Sequence, residues 1–170
     1  MDSKKGNGKM GIKKIEIFDM DGCIVDSLHR YRTITDPDGK VRIDLQHWRD
    51  NEIHAMADSL LPLAKHYQES LQNPEIYVII ATARELKEPD FQFIREILGM
   101  PDHIIGRRIG DSRSGAALKL LGLRKLFSLK QFAGIGADCI TFYEDNIAYL
   151  KAVCDAFKCK GVYISSNQGH

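Results

Sequence analysis

The 170-residue sequence lacks any long apolar run, and this absence excludes a membrane-spanning helix. No stretch approaches the roughly 20 consecutive apolar residues that cross a bilayer. The N-terminal residues also lack the apolar core of a signal peptide, so we expect a cytoplasmic protein without a membrane partner. Hydrophobic residues make up 44% and charged residues 28% of the chain, which is typical of a globular domain.

Cysteine and histidine motifs are also missing. The four cysteines form no CxxC pair and no zinc-binding spacing, so we expect reduced, buried thiols. The six histidines form no HExxH motif, and no GxxxxGK[ST] loop follows a strand. These absences exclude a zinc-protease site and a P-loop nucleotide site.

The sequence does contain a regular alternation of strand and helix patterns. Short apolar runs predict buried strands at residues 12–18, 77–81, 103–105, 139–143 and 161–164. Helical spacing of apolar residues is found at 44–72, 91–98, 114–127 and 147–157. The alternation predicts an α/β fold with a doubly wound parallel sheet.

The boundaries of this domain follow from the same patterns. We expect a single domain over residues 12–165, preceded by a disordered, Lys- and Gly-rich leader at residues 1–11. Within the helical segment 44–72, Pro62 predicts a break. Asp58 or Ser59 is expected to cap the second part of that segment.

The first strand ends in two carboxylates. The apolar run Ile15–Phe18 leads directly into Asp19 and Asp21, and Gly22 follows. Because residues i and i+2 of a strand point to the same side, the two acids should project together. Two such close carboxylates repel each other unless a cation or a shared proton stabilises them. The pattern therefore indicates a chemical site.

Two further strands also end in polar residues. Thr82 follows the run Tyr77–Ala81, and Glu144 and Asp145 follow the strand at 139–143. Ligands of parallel α/β sheets bind at the carboxyl ends of the strands. We therefore expect these side chains to converge with the first pair on one site.

These motifs, in this order, resemble a known family. The run Asp19–Met20–Asp21–Gly22, then Thr82, then the pair Glu144–Asp145 are similar to motifs I, II and IV of the haloacid dehalogenase (HAD) superfamily. The resemblance covers residues 12–165 and implies a Rossmann-like three-layer sandwich with a central parallel sheet. The second aspartate of the DxD motif implies phosphoryl transfer.

The insertion between the first two motifs is short. The 60 residues between Asp21 and Thr82 leave no room for a large helical cap, so we expect only a small cap insertion at residues 28–50. Such an open site favours a bulky substrate or a nucleotide held by a short loop. Tyr31, His47 and Trp48 are candidates for stacking on a base.

The HAD resemblance implies a role for each acidic residue. Asp19 would be the nucleophile that forms an aspartyl-phosphate, and Asp21 the general acid and base. A Mg²⁺ ion would bind Asp19, Asp145 and the main-chain carbonyl of Asp21, with Glu144 as a further or water-mediated ligand. Thr82 would donate a hydrogen bond to a phosphoryl oxygen.

The basic residue of motif III is less clear from the sequence. Lys119 is the first choice because it lies on the predicted helix that precedes the strand at 139–143. Arg113 and Lys125 are the alternatives. The segment 95–130 contains eight basic and three acidic residues. This excess favours an anionic substrate, although solvated helix faces explain it equally well.

Two shorter motifs are similar to the phosphatase module of phage polynucleotide kinase/3′-phosphatases. They are Thr82–Ala83–Arg84 and Gly110–Asp111–Ser112–Arg113. This resemblance implies that the substrate is bound by Arg30, Arg84, Arg113 and Asp111. The alternatives are a helix cap for Asp111 and a surface salt bridge for Arg84.

The sequence thus predicts a Mg²⁺-dependent phosphatase whose partner is a phosphorylated substrate. A nucleotide or the 3′-phosphate end of a nucleic acid is the favoured substrate. The alternatives are a phosphatase of small metabolites and a HAD-fold protein that binds phosphate or nucleic acid without turnover.

Overall fold

The computed structural model describes residue 9 and residues 11–167 of the chain. The predicted disordered leader, residues 1–11, therefore lies mostly outside the described residues. Lys9 is described, and its Nζ pairs with Asp102 at 2.9 Å and donates to the carbonyl of Ile76 at 2.6 Å. Lys9 thus contacts the folded domain.

Strands and helices alternate along the chain. The main elements are β1 (Lys14–Phe18), β2 (Val25–Asp26), β3 (Thr33–Thr35), β4 (Val41–Ile43), α1 (Leu45–Asp50), β5 (Ser59–Leu60), α2 (Leu63–Gln72), β6 (Ile76–Glu85), α3 (Glu88–Phe93), β7 (His103–Arg107), α4 (Gly115–Phe127), β8 (Ile140–Glu144), α5 (Ile147–Phe157) and β9 (Lys160–Tyr163). Short 3₁₀ turns lie at Leu28–Arg30, Glu52–Ala57, Lys130–Phe132 and Ala137–Cys139, and a π-helical turn at Ile94–Leu98 extends α3.

The centre of the molecule is a parallel sheet of five strands in the order β7–β6–β1–β8–β9. Its three central strands, β1, β6 and β8, are largely buried because helices cover both faces. Ile15 and Ile17 of β1 pack on one face with residues of α4 and α5, whereas Phe18 packs on the other face with α2 and α3. The predicted three-layer α/β architecture is confirmed.

The strand order determines where a site forms. From β1 the chain crosses to β6 and β7 on one side and later returns to β8 and β9 on the other side. The carboxyl ends of β6, β1 and β8 are therefore neighbours. The direction in which the chain adds strands reverses between β1 and β8. Such a switch point leaves a crevice outside the strand ends.

The insertion between β1 and β6 is small, as predicted. Within segment 28–50, β3 and β4 form an antiparallel hairpin and α1 contributes fewer than two helical turns. The hairpin turns at Asp36–Gly39, where Gly39 has a φ of +82°. Among the described residues, no helix is both long enough and apolar enough to cross a membrane.

The segment 44–72 differs from the prediction of a helix interrupted only at Pro62. It contains α1, a 3₁₀ turn and the strand β5 before α2 begins at Leu63. Neither Asp58 nor Ser59 caps α2, because Pro62 occupies the N-cap position. The Asp58 side chain instead faces the interior and binds two arginines.

Candidate active site

A cavity of about 620 Å³ opens at the carboxyl ends of β1, β6 and β8. This volume lies within the roughly 300–1,000 Å³ of small-molecule sites. The three strand ends contribute Asp19, Asp21, Thr82, Glu144 and Asp145 to its walls. The side chains that the sequence predicted to converge do so.

Lys119 of α4 reaches this cluster from the opposite wall. Its side chain has no exposed surface, and its Nζ lies 2.7 Å from Asp19 Oδ1 and 2.5 Å from Glu144 Oε2. Arg113 and Lys125, the alternatives for this position, make no such contact: Arg113 pairs with Asp111, and Lys125 is exposed. Of the three candidates for motif III, the structure brings Lys119 to the acidic cluster.

Burial dominates the electrostatics of the two carboxylates that Lys119 bridges. It raises the pKa of Asp19 to about 6, although the nearby Lys119 cation lowers it. Burial and the charge of Asp19 raise the pKa of Glu144 to about 8. A single lysine thus does not neutralise this group of acids, and the cluster favours a further cation.

A bound cation would explain the surroundings of the Asp145 carboxylate. Both of its carboxylate oxygens are buried and accept no hydrogen bond from any residue that the structure describes. Asp19, Glu144 and Asp145 each offer one oxygen within 4.8 Å of the others. Buried polar atoms are normally satisfied, so the unpaired oxygens of Asp145 fit a metal ligand.

The local backbone brings Asp145 close to the DxDG turn. Gly22 has a φ of +76°, and a Cβ at this position would lie 2.2 Å from Asp145 Oδ2 and 2.5 Å from Ser166 Oγ. Only glycine adopts this conformation without strain and leaves room for the carboxylate.

Asp21 is held separately from the acidic cluster. Ser27 Oγ donates to its Oδ1 at 2.5 Å, and Arg84 Nε donates to its Oδ2 at 3.1 Å. A second nitrogen of Arg84 also contacts Asp21 Oδ1. Burial raises the pKa of Asp21, but the Arg84 and Ser27 contacts outweigh it and the net pKa is lowered.

Thr82 lies in the C-terminal half of β6, three residues before the strand ends at Glu85. Its Oγ1 is buried and accepts a hydrogen bond from the backbone N–H of Arg84 at 3.1 Å. The hydroxyl proton therefore points away from that N–H. Because Thr82 lines the cavity, this proton suits an anionic oxygen bound there.

The arginines expected to bind substrate behave differently from one another. Arg30 is fully buried and is not part of the cavity wall; it pairs with Asp58 and Asp90. Arg84 borders the cavity, but each of its three guanidinium nitrogens already donates to a carboxylate. It is a buried ion pair rather than the surface salt bridge considered from the sequence.

The GDSR segment lies at the opposite rim of the cavity. Asp111 accepts hydrogen bonds from the backbone N–H and the guanidinium of Arg113, which lower its pKa. Ser114, rather than Asp111, caps α4 by accepting from Ala117 N at 3.2 Å. Arg107 holds this loop through the carbonyls of Asp111 and Arg113, each at 2.7 Å.

The cap insertion contributes an apolar wall. Tyr31, Ile43, Leu45 and Trp48 line the cavity on this side. The rings of Tyr31 and Trp48 meet edge to face, with their centroids 5.1 Å apart. His47 was expected to join them but is not part of the described cavity wall. Its Nε2 lies 3.4 Å from Asn51 Nδ2.

The family of the chain follows from a sequence comparison. The profile of the Bacteriophage T5 5′-deoxynucleotidase family matches residues 3–103, which is more than half of the chain. The chain belongs to this family. The match includes Asp19, Asp21, Thr82 and Arg84, whereas Lys119 and Asp145 lie beyond it.

A curated relative of this 5′-deoxynucleotidase family member comes from Escherichia phage T5. That 5′-deoxynucleotidase is 30% identical over 88 residues, which are 50% of the chain and 35% of the relative. The chain thus aligns with about a third of the length of the relative that it matches.

Solved structures establish the wider fold of this family member. A chain of the Pnkp1/Rnl/Hen1 RNA repair complex matches with a TM-score of 0.58 and 17% identity over 96% of this chain and 47% of that one. A HAD-superfamily hydrolase from Geobacter sulfurreducens PCA matches with a TM-score of 0.54 and 13% identity, covering 95% and 90%. The predicted HAD fold is confirmed.

Proposed function

We propose that this protein is a Mg²⁺-dependent phosphatase that hydrolyses deoxynucleoside 5′-monophosphates through an aspartyl-phosphate at Asp19. The observation that carries the proposal is the buried Asp19–Lys119–Glu144 bridge beside the unpaired oxygens of Asp145, at the base of an accessible cavity. Membership in a 5′-deoxynucleotidase family supports the same reaction.

The residues present fit a hard divalent cation. Asp19 and Asp145 would supply its carboxylate oxygens, with Glu144 at the edge of the site because Lys119 already holds it. Along the cavity wall, seven carboxylates face only five basic side chains. When bound, Mg²⁺ would offset this excess charge and polarise the phosphoryl group.

The side chains divide the reaction between them. A carboxylate oxygen of Asp19 attacks phosphorus while Lys119 and Thr82 stabilise the phosphoryl oxygens. As the phosphorus–oxygen bond breaks, the leaving oxygen takes a proton from Asp21. Arg84 lowers the pKa of Asp21 in the free protein, and the approach of a phosphate dianion raises it again. Asp21 then takes a proton from the water that hydrolyses the aspartyl-phosphate.

The apolar wall of the cap suits a nucleoside leaving group. Tyr31 and Trp48, together with Ile43 and Leu45, give the cavity an apolar surface that includes two aromatic rings. A base that stacks on such a surface gains about 1–3 kcal/mol. The phosphate would then lie against Asp19 while the base rests on the cap.

The test is metal-dependent phosphate release from the four deoxynucleoside 5′-monophosphates. Parallel reactions contain deoxyribose 5-phosphate, p-nitrophenyl phosphate and a 3′-phosphorylated oligonucleotide. We expect the highest kcat/KM for mononucleotides and no turnover in EDTA. A lack of release from every substrate would favour a protein that binds phosphate without turnover.

A second candidate is the 3′-phosphate end of a nucleic acid. Arg49, Arg107 and Arg113 surround the mouth of the cavity, where they suit the backbone phosphates of a longer substrate. If this candidate is correct, the oligonucleotide will exceed the mononucleotides in kcat/KM, and the advantage will fall steeply with salt. Faster turnover of deoxyribose 5-phosphate than of either would identify a metabolite phosphatase.

Replacing Gly22 with alanine tests the metal ligand. The added Cβ meets Asp145 Oδ2, so we expect the Gly22→Ala protein to lose most of its Mg²⁺-induced rise in Tm. Gly39→Ala is the matched control, because Gly39 has a similar φ of +82° and a Cβ added there would meet nothing within 4 Å. An equal Mg²⁺ response in the two variants would contradict the assignment of Asp145.

Replacing Trp48 with alanine tests the base site. The loss of stacking, about 1–3 kcal/mol, should raise KM for a deoxynucleoside monophosphate roughly tenfold. KM for deoxyribose 5-phosphate, which carries no base, should stay within about twofold of the wild-type value. Trp48→Phe should restore most of the affinity, and a similar rise in KM for both substrates would exclude stacking at Trp48.

A further inference from the structure

The proposed reaction gives Arg84 a part in setting the pKa of Asp21 but leaves its buried neighbours Arg30, Asp58 and Asp90 without a role. Arg30 and Arg84 lie side by side with Asp58 and Asp90, and all four side chains have no exposed surface. Arg30 Nη1 lies 3.3 Å from Asp58 Oδ2 and 3.1 Å from Asp90 Oδ1. Arg84 Nη1 contacts the same two oxygens, at 3.2 and 2.7 Å.

The two aspartates are themselves fixed in position. Asp90 Oδ2 accepts the backbone N–H of Lys87 at 2.9 Å, at the start of α3. Asp58 Oδ1 lies 2.7 Å from Nε2 of His29, which is partly exposed. Each acid therefore presents its other oxygen to the arginines from a fixed direction.

These contacts determine the orientation of Arg84. One edge of its guanidinium faces Asp58 and Asp90, so the remaining edge, formed by Nε and Nη2, is turned toward Asp21. That edge contacts both oxygens of Asp21, as in a bidentate arginine–carboxylate pair. Trp48 covers the guanidiniums of Arg30 and Arg84, at 4.2 and 5.3 Å from its ring centre.

Stability alone does not explain such an arrangement. Taking charges out of water costs several kcal/mol per ion, and well-packed apolar residues often stabilise a protein as much as a buried ion pair does. What an ionic network provides better than apolar packing is a fixed direction for each hydrogen bond.

We propose that Asp58 and Asp90 are positioning residues, which hold Arg84 so that it directs the Asp21 carboxyl group at the leaving-group oxygen. This inference rests on the proposed phosphatase function. Asp58 lies between the 3₁₀ turn Glu52–Ala57 and β5, and Asp90 belongs to α3, so the network joins the segment that follows the cap insertion to β6 and the DxDG turn. Without it, Ser27 would still hold Asp21 Oδ1, but Arg84 would no longer fix the direction of the carboxyl group.

The test compares two leaving groups in Asp58→Asn and Asp90→Asn. A deoxynucleoside leaves as an alkoxide and needs the proton from Asp21, whereas p-nitrophenolate is stable as an anion and needs it far less. We expect kcat for the nucleotide to fall at least about tenfold more than kcat for p-nitrophenyl phosphate, with KM nearly unchanged. Asp102→Asn is the matched control, because Asp102 binds Val78 N and Lys9 at the other end of β6.

Two further variants connect the effect to Asp21. Asp21→Asn should give the same leaving-group pattern, and the double variant with Asp90→Asn should change the ratio of the two kcat values no further. If the asparagine variants do not fold, Asp90→Glu keeps the charge but shifts the carboxylate, and the same ratio is measured.

The outcomes separate this inference from the proposed function. A wild-type protein that hydrolyses neither substrate would overturn the phosphatase function itself. If the wild type hydrolyses both, and the variants lower the two kcat values by the same factor, Asp58 and Asp90 only support the fold and the positioning role is wrong.

Discussion

Asp19→Asn is expected to lower kcat for every phosphorylated substrate by about 10⁴-fold or more, because an amide does not attack phosphorus. The fold should tolerate this change. Burial raises the pKa of Asp19 to about 6, so at neutral pH the ionised side chain is less favourable in the folded protein than in the unfolded chain. We therefore expect the Tm in EDTA to stay constant or rise.

The measurement pairs steady-state phosphate release with thermal unfolding of the same sample. Brief incubation of the wild type with ³²P-labelled substrate, followed by acid quenching, should trap label on the protein. Asp21→Asn, tested with p-nitrophenyl phosphate, should retain this label longer because water is no longer activated. Labelling of the Asp19→Asn protein would move the nucleophile to another residue.

Lys119→Met is expected to have the second-largest effect. Removing one partner of a buried charge group typically costs about 3–5 kcal/mol of unfolding free energy. Loss of a cation beside the phosphoryl group should also lower kcat by roughly 10²–10³-fold. Methionine replaces the aliphatic part of this fully buried side chain and lacks the terminal ammonium, so the change mainly removes the charge.

Lys125→Met is the control for this prediction. Lys125 lies on the same helix and is exposed, so its Tm and kcat should stay close to wild type. Mg²⁺ should recover part of the Tm that Lys119→Met loses, because the metal cation reduces the repulsion between Asp19 and Glu144 that the lysine no longer offsets. If Lys125→Met were the more damaging variant, the assignment of Lys119 as the motif III residue would be wrong.

The sequence predicts the acidic residues of the site because the end of a strand can be recognised from neighbouring residues alone. Asp19, Asp21, Thr82 and Asp145 each follow a recognisable apolar run, and a parallel sheet brings such ends to one edge. The choice of Lys119 needed more information. It is flanked by apolar residues in α4, which hints at burial, but only the docking of the helix brings its Nζ to Asp19.

The sequence did not predict the buried network of Arg30, Arg84, Asp58 and Asp90. Its members are far apart in the sequence, and nothing in their local sequence indicates that they meet. Asp90 occupies the third position of α3, where a capping role already explains an acid. Asp58 was expected to cap a helix, but Pro62 takes the N-cap position of α2 and Asp58 binds Arg30 and Arg84 instead. Arg30 matched the phosphatase resemblance but is turned inward by these two acids.

The position of β8 in the sheet has a consequence for the synthesis of this protein. Ile15 pairs with Ile140, so the strand that begins the site and the strand that completes it are joined late in translation. Such distant pairings form slowly, and a domain generally folds as a unit. A nascent chain that stops before β8 lacks Asp145, and phosphate release would therefore report the moment at which the whole domain has left the ribosome and closed.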